Sequence, residues 1–199
     1  MPNYIRPKVS GAAVFFTVNL ADRASPVLVD RIADLREAMR VTRAERPFRV
    51  DAWVVLPDHM HCDWTLSAGD GDYSTRWGAI KSRFTRRLRD TGRVGFQPTE
   101  AKRLGHPVGW NPTLPKSASK RRKGDAGVWQ RRFWEHHIRD DEDFRAHVEY
   151  CWFNPVKHGY VTAPLDWEHS SFHKFVDEGL YRPDWGSKRE IGFSGRFGE

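Results

Sequence analysis

Cysteine is nearly missing from this chain: Cys62 and Cys151 are the only two in 199 residues, and neither belongs to a C-x-x-C pair. That excludes a disulfide framework and the cysteine-rich zinc modules, and it fits a reducing compartment. No segment approaches the roughly 18 consecutive apolar residues that span a bilayer. The N-terminal "MPNYIRPKVSGAAVFFTVNL" has no long uncharged core ending in a small-residue cleavage site, so no export is expected. Phosphate-cradling glycine loops are also missing. There is no G-x-x-x-x-G-K-[ST] and no G-x-G-x-x-G, which argues against a nucleotide cofactor.

Basic charge and aromatic rings are what the chain has in excess. Lys and Arg number 33 against 26 acids, a net charge of +7, while aromatics reach 13% with nine Trp. Mean hydropathy is −0.70, yet that aromatic content is enough for a packed core, and 199 residues fit a single domain over 1–199. A cationic surface on this scale points to a polyanionic partner, with nucleic acid first among them.

The patterning predicts an order β-α-β-β-α-loop-β-α. "AAVFFTVNL" (12–20) reads as a first strand. Ser25 as N-cap and Pro26 in the first turn predict a helix over 26–44, with Leu28, Ile32, Leu35 and Met39 on one stripe. Residues 48–56 alternate, with Phe48, Val50, Ala52, Val54 and Leu56 on one face. A tight turn at Pro57-Asp58 leads to a third strand over 59–66, with His59, His61 and Asp63 on one face and Met60, Cys62, Trp64 and Leu66 on the other. A helix over 74–90 buries Trp77, Ile80, Phe84 and Leu88 and carries Arg76, Lys81, Arg83, Arg86, Arg87 and Arg89 elsewhere. Residues 97–126 lose all periodicity, with four prolines and seven Lys/Arg against two acids, and read as a long basic loop. "GVWQRRFWEHHI" predicts one or two strands. A final helix has Asp140 as its cap and ends at Asn154-Pro155, because the residue before proline disfavours helical geometry. The order is that of a ferredoxin-like α+β fold, an antiparallel sheet with helices packed on one side.

His59 and His61 on one strand face place two imidazoles side by side. Tyr150 and Asn154, four residues apart, share one face of the last helix. Packed against each other, these faces bring two nitrogens and an amide oxygen beside a phenol. Such ligands with open positions suit Mg²⁺ or Mn²⁺, although two histidines hold Zn²⁺, Co²⁺ or Ni²⁺ as well. Only about one tyrosine hydroxyl in a thousand ionises unaided at neutral pH, so the phosphate it attacks needs a positive centre.

"LPDHMHCDW", "YSTRWGAIKSRFTRRL", "WQRRFWEHHIRDDEDFRAHVEYCWFNPVKHGYV" and "DWEHSSFHKFVDEGLY", in that order, resemble the REP-associated tyrosine transposases, bacterial members of the HUH single-strand transposase superfamily. The resemblance spans roughly 10–185, and the loop at 97–126 is matched least. It implies the HUH single-tyrosine fold, His59, His61 and Asn154 as ligands of a divalent metal, and Tyr150 as nucleophile. It further implies cleavage and rejoining of single-stranded DNA beside palindromic REP hairpins through a 5′-phosphotyrosine, without a nucleotide cofactor. It suggests a monomer with a C-terminal extension over 160–199, where insertion-sequence relatives use a dimer, and a cytoplasmic, nucleoid-associated location. Asp63 and Tyr160 stand where the family more often has aliphatic residues.

Other residues have plainer readings beside functional ones. Lys81, Arg83, Arg86, Arg87 and Lys120, Arg121, Arg122 and Lys123 are candidate phosphate contacts, with a solvated charged face as the alternative. Trp110, Trp129 and Trp134 could stack on unpaired bases or simply fill a core. Asp63 reads as a solvated or hydrogen-bonded strand residue, and Cys62 and Cys151 as buried fillers. Glu135, His136 and His137 divide between faces of a strand, where a supporting or DNA-contact role is open. Three rival functions remain: a hairpin-binding regulator without catalysis, a replication- or relaxase-type nickase, and a nuclease in which water attacks.

Overall fold

A computed structural model of the chain describes residues 7, 9–92, 127–187 and 197–198. The basic segment 97–126, with Trp110 and Lys120–Lys123, lies outside the described residues. Four strands form one sheet in the order β2-β3-β1-β4: β1 is Ala13–Asn19, β2 Phe48–Val55, β3 His59–Leu66 and β4 Trp134–His137. Every pairing is antiparallel. No helix among the described residues is long and apolar enough to cross a membrane.

Helices lie on both faces of the sheet rather than on one. The first face carries Val14, Phe16, Val18, Met60, Cys62, Trp64 and Leu66 and is covered by α2 (Ile32–Glu45) and α3 (Tyr73–Gly92). Trp77, Ile80, Phe84 and Leu88 of α3 are all buried there, each such side chain contributing about 1.5–3 kcal/mol. The second face carries Phe15, Ala52 and Val54 and packs under α4 (Asp141–Lys157), a 3₁₀ turn (Pro164–Asp166) and α5 (Phe172–Asp177). The polar strand face bearing His59, His61 and Asp63 is therefore the floor of an interior, because α4 needs a partner for its own buried stripe.

Three local expectations change. The strand alternation over 48–56 breaks at a bulge between Val50 and Ala52, so Phe48 and Val50 face the α2/α3 core whereas Ala52 and Val54 face α4. The helix expected over 26–44 is two: a single turn, α1 (Val27–Asp30), and α2, separated at Arg31. Pro26 rather than Ser25 stands at the cap, and no side chain caps it. That turn places Val27 and Leu28 in one core and Val29 in the other, which a continuous amphipathic helix could not do.

The third change concerns α4. Asp140 accepts from the Asp143 N–H at 2.8 Å, the expected cap, but Pro155 does not stop the helix, which continues to Lys157. So close to the helix end, proline costs one backbone bond. Termination falls instead at Gly159, with φ of +72°, where Gly159 N–H donates to Val156 and Tyr160 N–H to Pro155, each at 2.9 Å. This is a Schellman ending that places a glycine in the left-handed region.

Candidate active site

β3 and β1 supply the floor of the site and α4 its roof. Cys151 Sγ donates to the His61 carbonyl at 3.4 Å and fixes the helix over that strand. Both cysteines are buried and free, and burial pushes both thiols well above their usual range, consistent with filler roles. His59, His61, Tyr150 and Asn154 are each no more than 2% exposed.

The hydrogen bonds to the two imidazoles decide which nitrogen each presents. His59 Nδ1 lies 2.8 Å from the Asp58 carboxylate, and Asp58 is held in turn by Arg23 at 2.5 Å. A carboxylate only accepts, so His59 carries its proton on Nδ1 and offers a lone pair at Nε2, a buried atom with no hydrogen-bond partner among the described residues. Thr17, the cross-strand neighbour of His61, donates its only hydroxyl proton to the Phe197 carbonyl at 2.5 Å. Its contact with His61 Nδ1 at 2.9 Å must then be one it accepts, so His61 also offers its lone pair at Nε2. The two ring centroids are 5.0 Å apart. Asn154, fully buried on the face of α4 that follows Tyr150 by one turn, adds an amide oxygen. Two preset imidazole nitrogens and an amide oxygen form a donor set that fits a divalent cation.

Tyr150 stands edge-on to His61, with ring centroids 5.4 Å apart. Its Oη accepts from Lys157 Nζ at 2.9 Å, two turns further along α4. Phe197 lies flat on its ring at 3.7 Å between centroids.

A second cluster sits one turn before Tyr150. His136 Nε2 and the Arg139 Nε–H and N–H donate to Asp143 Oδ2 at 2.8, 3.1 and 3.0 Å. His147 Nδ1 lies 3.2 Å from Asp143 Oδ1. Burial pushes the Asp143 carboxyl up, but these hydrogen bonds outweigh it and hold the group far below the usual carboxylate range. The donor atoms of His136, Asp143 and His147 lie within 4.8 Å of one another, close enough to hold an ion. The His136 and His147 rings are stacked at 4.5 Å and 11°, so in this arrangement their in-plane lone pairs do not converge on one point. As arranged, the cluster ties β4 to α4.

Asp63 departs from its reading as a solvated or hydrogen-bonded residue. It is fully buried, and among the described residues neither carboxylate oxygen has a hydrogen-bond partner. Burial, then the charges of Asp51 and Asp143, push its carboxyl well above the usual range.

The basic residues of α3 divide. Arg76 is buried and donates to the carbonyls of Arg46, Pro47 and Asp72, a loop anchor. Arg83 bonds Glu45 and Thr42, and Arg87 pairs with Asp34, so both hold α3 to α2. Lys81 Nζ donates to the Gln130 carbonyl at 3.2 Å, while Arg86 is exposed. Trp129 packs with Phe84 in the core, and Trp134 stacks on His136. His136 faces α4 and His137 faces Tyr73 of α3, as strand alternation requires.

Asp58, Thr17, Lys157 and Phe197 were not singled out as site residues. Lys157 had a signal, a seven-residue spacing that returns it to the face of Tyr150. Thr17 is found only through strand register, and Phe197 lies 180 residues from its partner Thr17 with no local cue.

No protein-family model matches the chain. Curated proteins do. A REP-associated tyrosine transposase of Escherichia coli K12 is 41% identical over 185 residues, 93% of this chain and 91% of the relative. A Haemophilus influenzae Rd protein bearing the same family name is 38% identical over 195 residues, 98% of this chain and 99% of the relative. Among solved structures, a REP-associated tyrosine transposase bound to a REP hairpin superimposes with a TM-score of 0.71 at 39% identity, covering 98% of both chains.

Proposed function

The chain belongs to the REP-associated tyrosine transposases, and within that family we propose that Tyr150 is the nucleophile, that His59, His61 and Asn154 hold the metal, and that the substrate is single-stranded DNA beside a REP-like hairpin. One observation carries this reading: two imidazoles whose Nε2 lone pairs are preset by Asp58 and Thr17 are buried beneath the helix that carries Tyr150 and Asn154, with the Tyr150 ring 5.4 Å from that of His61. The hairpin held by the solved relative supports the substrate class.

Tyr150 Oη forms a bond to phosphorus and the P–O3′ bond breaks, leaving a 5′-phosphotyrosine and a 3′-hydroxyl. The ester retains the phosphodiester's energy, so rejoining needs no ATP. A divalent ion bound there, Mg²⁺ or Mn²⁺, supplies positive charge to the non-bridging oxygens. Lys157 stabilises the oxygen that must lose its proton to solvent. Asp58, itself held by Arg23, orients His59, and Thr17 orients His61. Phe197 covers the phenol face.

Arg86 and the run Lys120, Arg121, Arg122 and Lys123 are the proposed phosphate contacts, with Lys81. Arg83 and Arg87 join them by exchanging a carboxylate for a phosphate. Residues 1–199 act as one transposase domain, with 97–126 as a basic segment for DNA and 160–199 as a C-terminal extension. The protein works as a monomer in the cytoplasm, on the nucleoid.

Covalent trapping tests the reading. Protein, Mn²⁺ or Mg²⁺ and labelled hairpin DNA are run on a denaturing gel beside Tyr150→Phe and His59→Ala/His61→Ala. A metal-dependent adduct on the 3′-side fragment, lost in both variants, is expected. Cleavage that survives Tyr150→Phe would assign the attack to water, and binding without cleavage would assign a regulator.

A further inference from the structure

A cleft of about 290 Å³ opens on the α2 side of the sheet, lined by Arg36, Met39, Arg40 and Arg43 of α2, Val50 and Trp53 of β2, and Ser171. The arginines recur at spacings of four and three, which turns all of them to one face of α2. No carboxylate lines the cleft. Arg40 is held in place by Glu37 through two bonds of 2.6 and 2.8 Å. Arg43 spends its Nε–H on the Phe48 carbonyl at 3.2 Å, an arrangement that fixes the side chain without cancelling its charge.

The wall opposite is rigid. Ser171 Oγ accepts from the Trp53 N–H and from Trp152 Nε1, both at 2.9 Å, and donates to the Trp53 carbonyl at 3.2 Å. Ser171 N–H donates to that same carbonyl, so the backbone of Trp53 is pinned on its edge. The indole, half-buried and packed on the core, is a fixed apolar surface beside the guanidinium groups of Arg36 and Arg43, with Arg40 next to them in its ion pair with Glu37.

We propose that this cleft is a binding site for one unpaired nucleotide of the DNA strand that flanks the hairpin. The base lies against Trp53 and Met39, and its phosphates meet Arg36, Arg40 and Arg43. Aromatic surface next to guanidinium groups is the chemistry by which unpaired nucleotides are held, and the volume is at the small end of ligand pockets, that of a single nucleotide. The site lies across the sheet from Tyr150, so it grips DNA away from the reacting atoms. The inference rests on the proposed DNA substrate and on no part of the cleavage mechanism.

The test uses full-length Tyr150→Phe protein without metal, so that cleavage plays no part. Fluorescence anisotropy compares a bare hairpin with the same hairpin carrying a single-stranded flank, before and after Arg36→Gln/Arg40→Gln/Arg43→Gln. The flank is expected to strengthen binding about tenfold or more, and the triple variant to lose that gain while it retains the affinity for the bare hairpin. The salt dependence should become shallower by about 0.7 for each arginine that meets a phosphate. With 5-iodouracil placed in turn along the flank, one position should photocross-link to Trp53, an arm that needs no arginine variant. Equal loss on both DNAs, or no loss together with no Trp53 cross-link, overturns the proposal. Absence of binding to either DNA overturns the substrate reading beneath it.

Discussion

Lys157 donates to the hydroxyl of Tyr150 at 2.9 Å, from two turns further along the same helix. The ammonium also lies 4.9 Å from the ring centroid, so the charge sits at the oxygen end of the phenol. A hydrogen bond to a developing phenolate strengthens as the proton leaves, which favours attack over the resting state. Lys157→Gln is expected to slow adduct formation roughly 10- to 100-fold at neutral pH, from the ~1.5–3 kcal/mol of a charge-assisted bond. The deficit should narrow as pH rises toward 9, and Lys157→Arg should recover part of the rate. A pH-independent deficit would show instead that Lys157 only braces the helix.

Asp58 fixes the proton of His59 on Nδ1. Removing such a partner typically costs 10- to 100-fold in metal affinity. Titration calorimetry with Mn²⁺ on Asp58→Asn should show a loss in that range with thermal stability close to that of the parent. Unchanged affinity would show that the Asp58 carboxylate does not tune His59 as a ligand.

Asp143 makes stability depend on pH in a defined direction. Its carboxyl titrates far below the usual range in the folded chain, whereas an unfolded aspartate titrates near about 4. Its contribution is therefore fully present above about pH 4 and is lost as the pH falls through the folded value. Asp143→Asn should destabilise the protein by about 1–3 kcal/mol at neutral pH, and the gap to the parent should close in acid. Denaturant melts at several pH values read this directly, and a gap that widens in acid would contradict it.

Asp63 is a cost in the native state. Its carboxyl is buried beside the histidines without a hydrogen-bond donor among the described residues. Asp63→Val should raise stability at neutral pH by about 1–3 kcal/mol, since it removes a stranded polar group from a space already lined with apolar side chains. A destabilised variant would show that the carboxyl contributes to the fold in the metal-free protein and would overturn this expectation.

Much of this was legible in the sequence, and the reason differs by element. β3 was readable because its two faces differ so strongly in polarity, and α3 because one apolar stripe buries on one partner. Periods of two and four put His59 with His61 and Tyr150 with Asn154 on shared faces, whereas bringing the two faces together was implied by the family resemblance. β2 was misread because one extra residue near Asp51 changes the phase without changing the composition. Arg83 and Arg87 looked like free charge because their partners, Glu45 and Asp34, lie on another helix. The protonation of the two imidazoles was out of reach, since it depends on Thr17 across the sheet and on the Phe197 carbonyl at the far end of the chain.

The bulge in β2 makes one strand answer to two masters. Phe48 lies 4.2 Å from Trp64 on the α2/α3 side, while Val54, six positions on and of the same numerical parity, belongs to the core that holds Cys151 and Tyr150. Pairwise mutational coupling should therefore switch partner along the strand, Phe48 with Trp64 and Val54 with Cys151, with little between the two pairs. Removing a single residue at the bulge would carry every side chain on one side of it to the opposite face. The length of this strand is as much a requirement of the site as any residue in it.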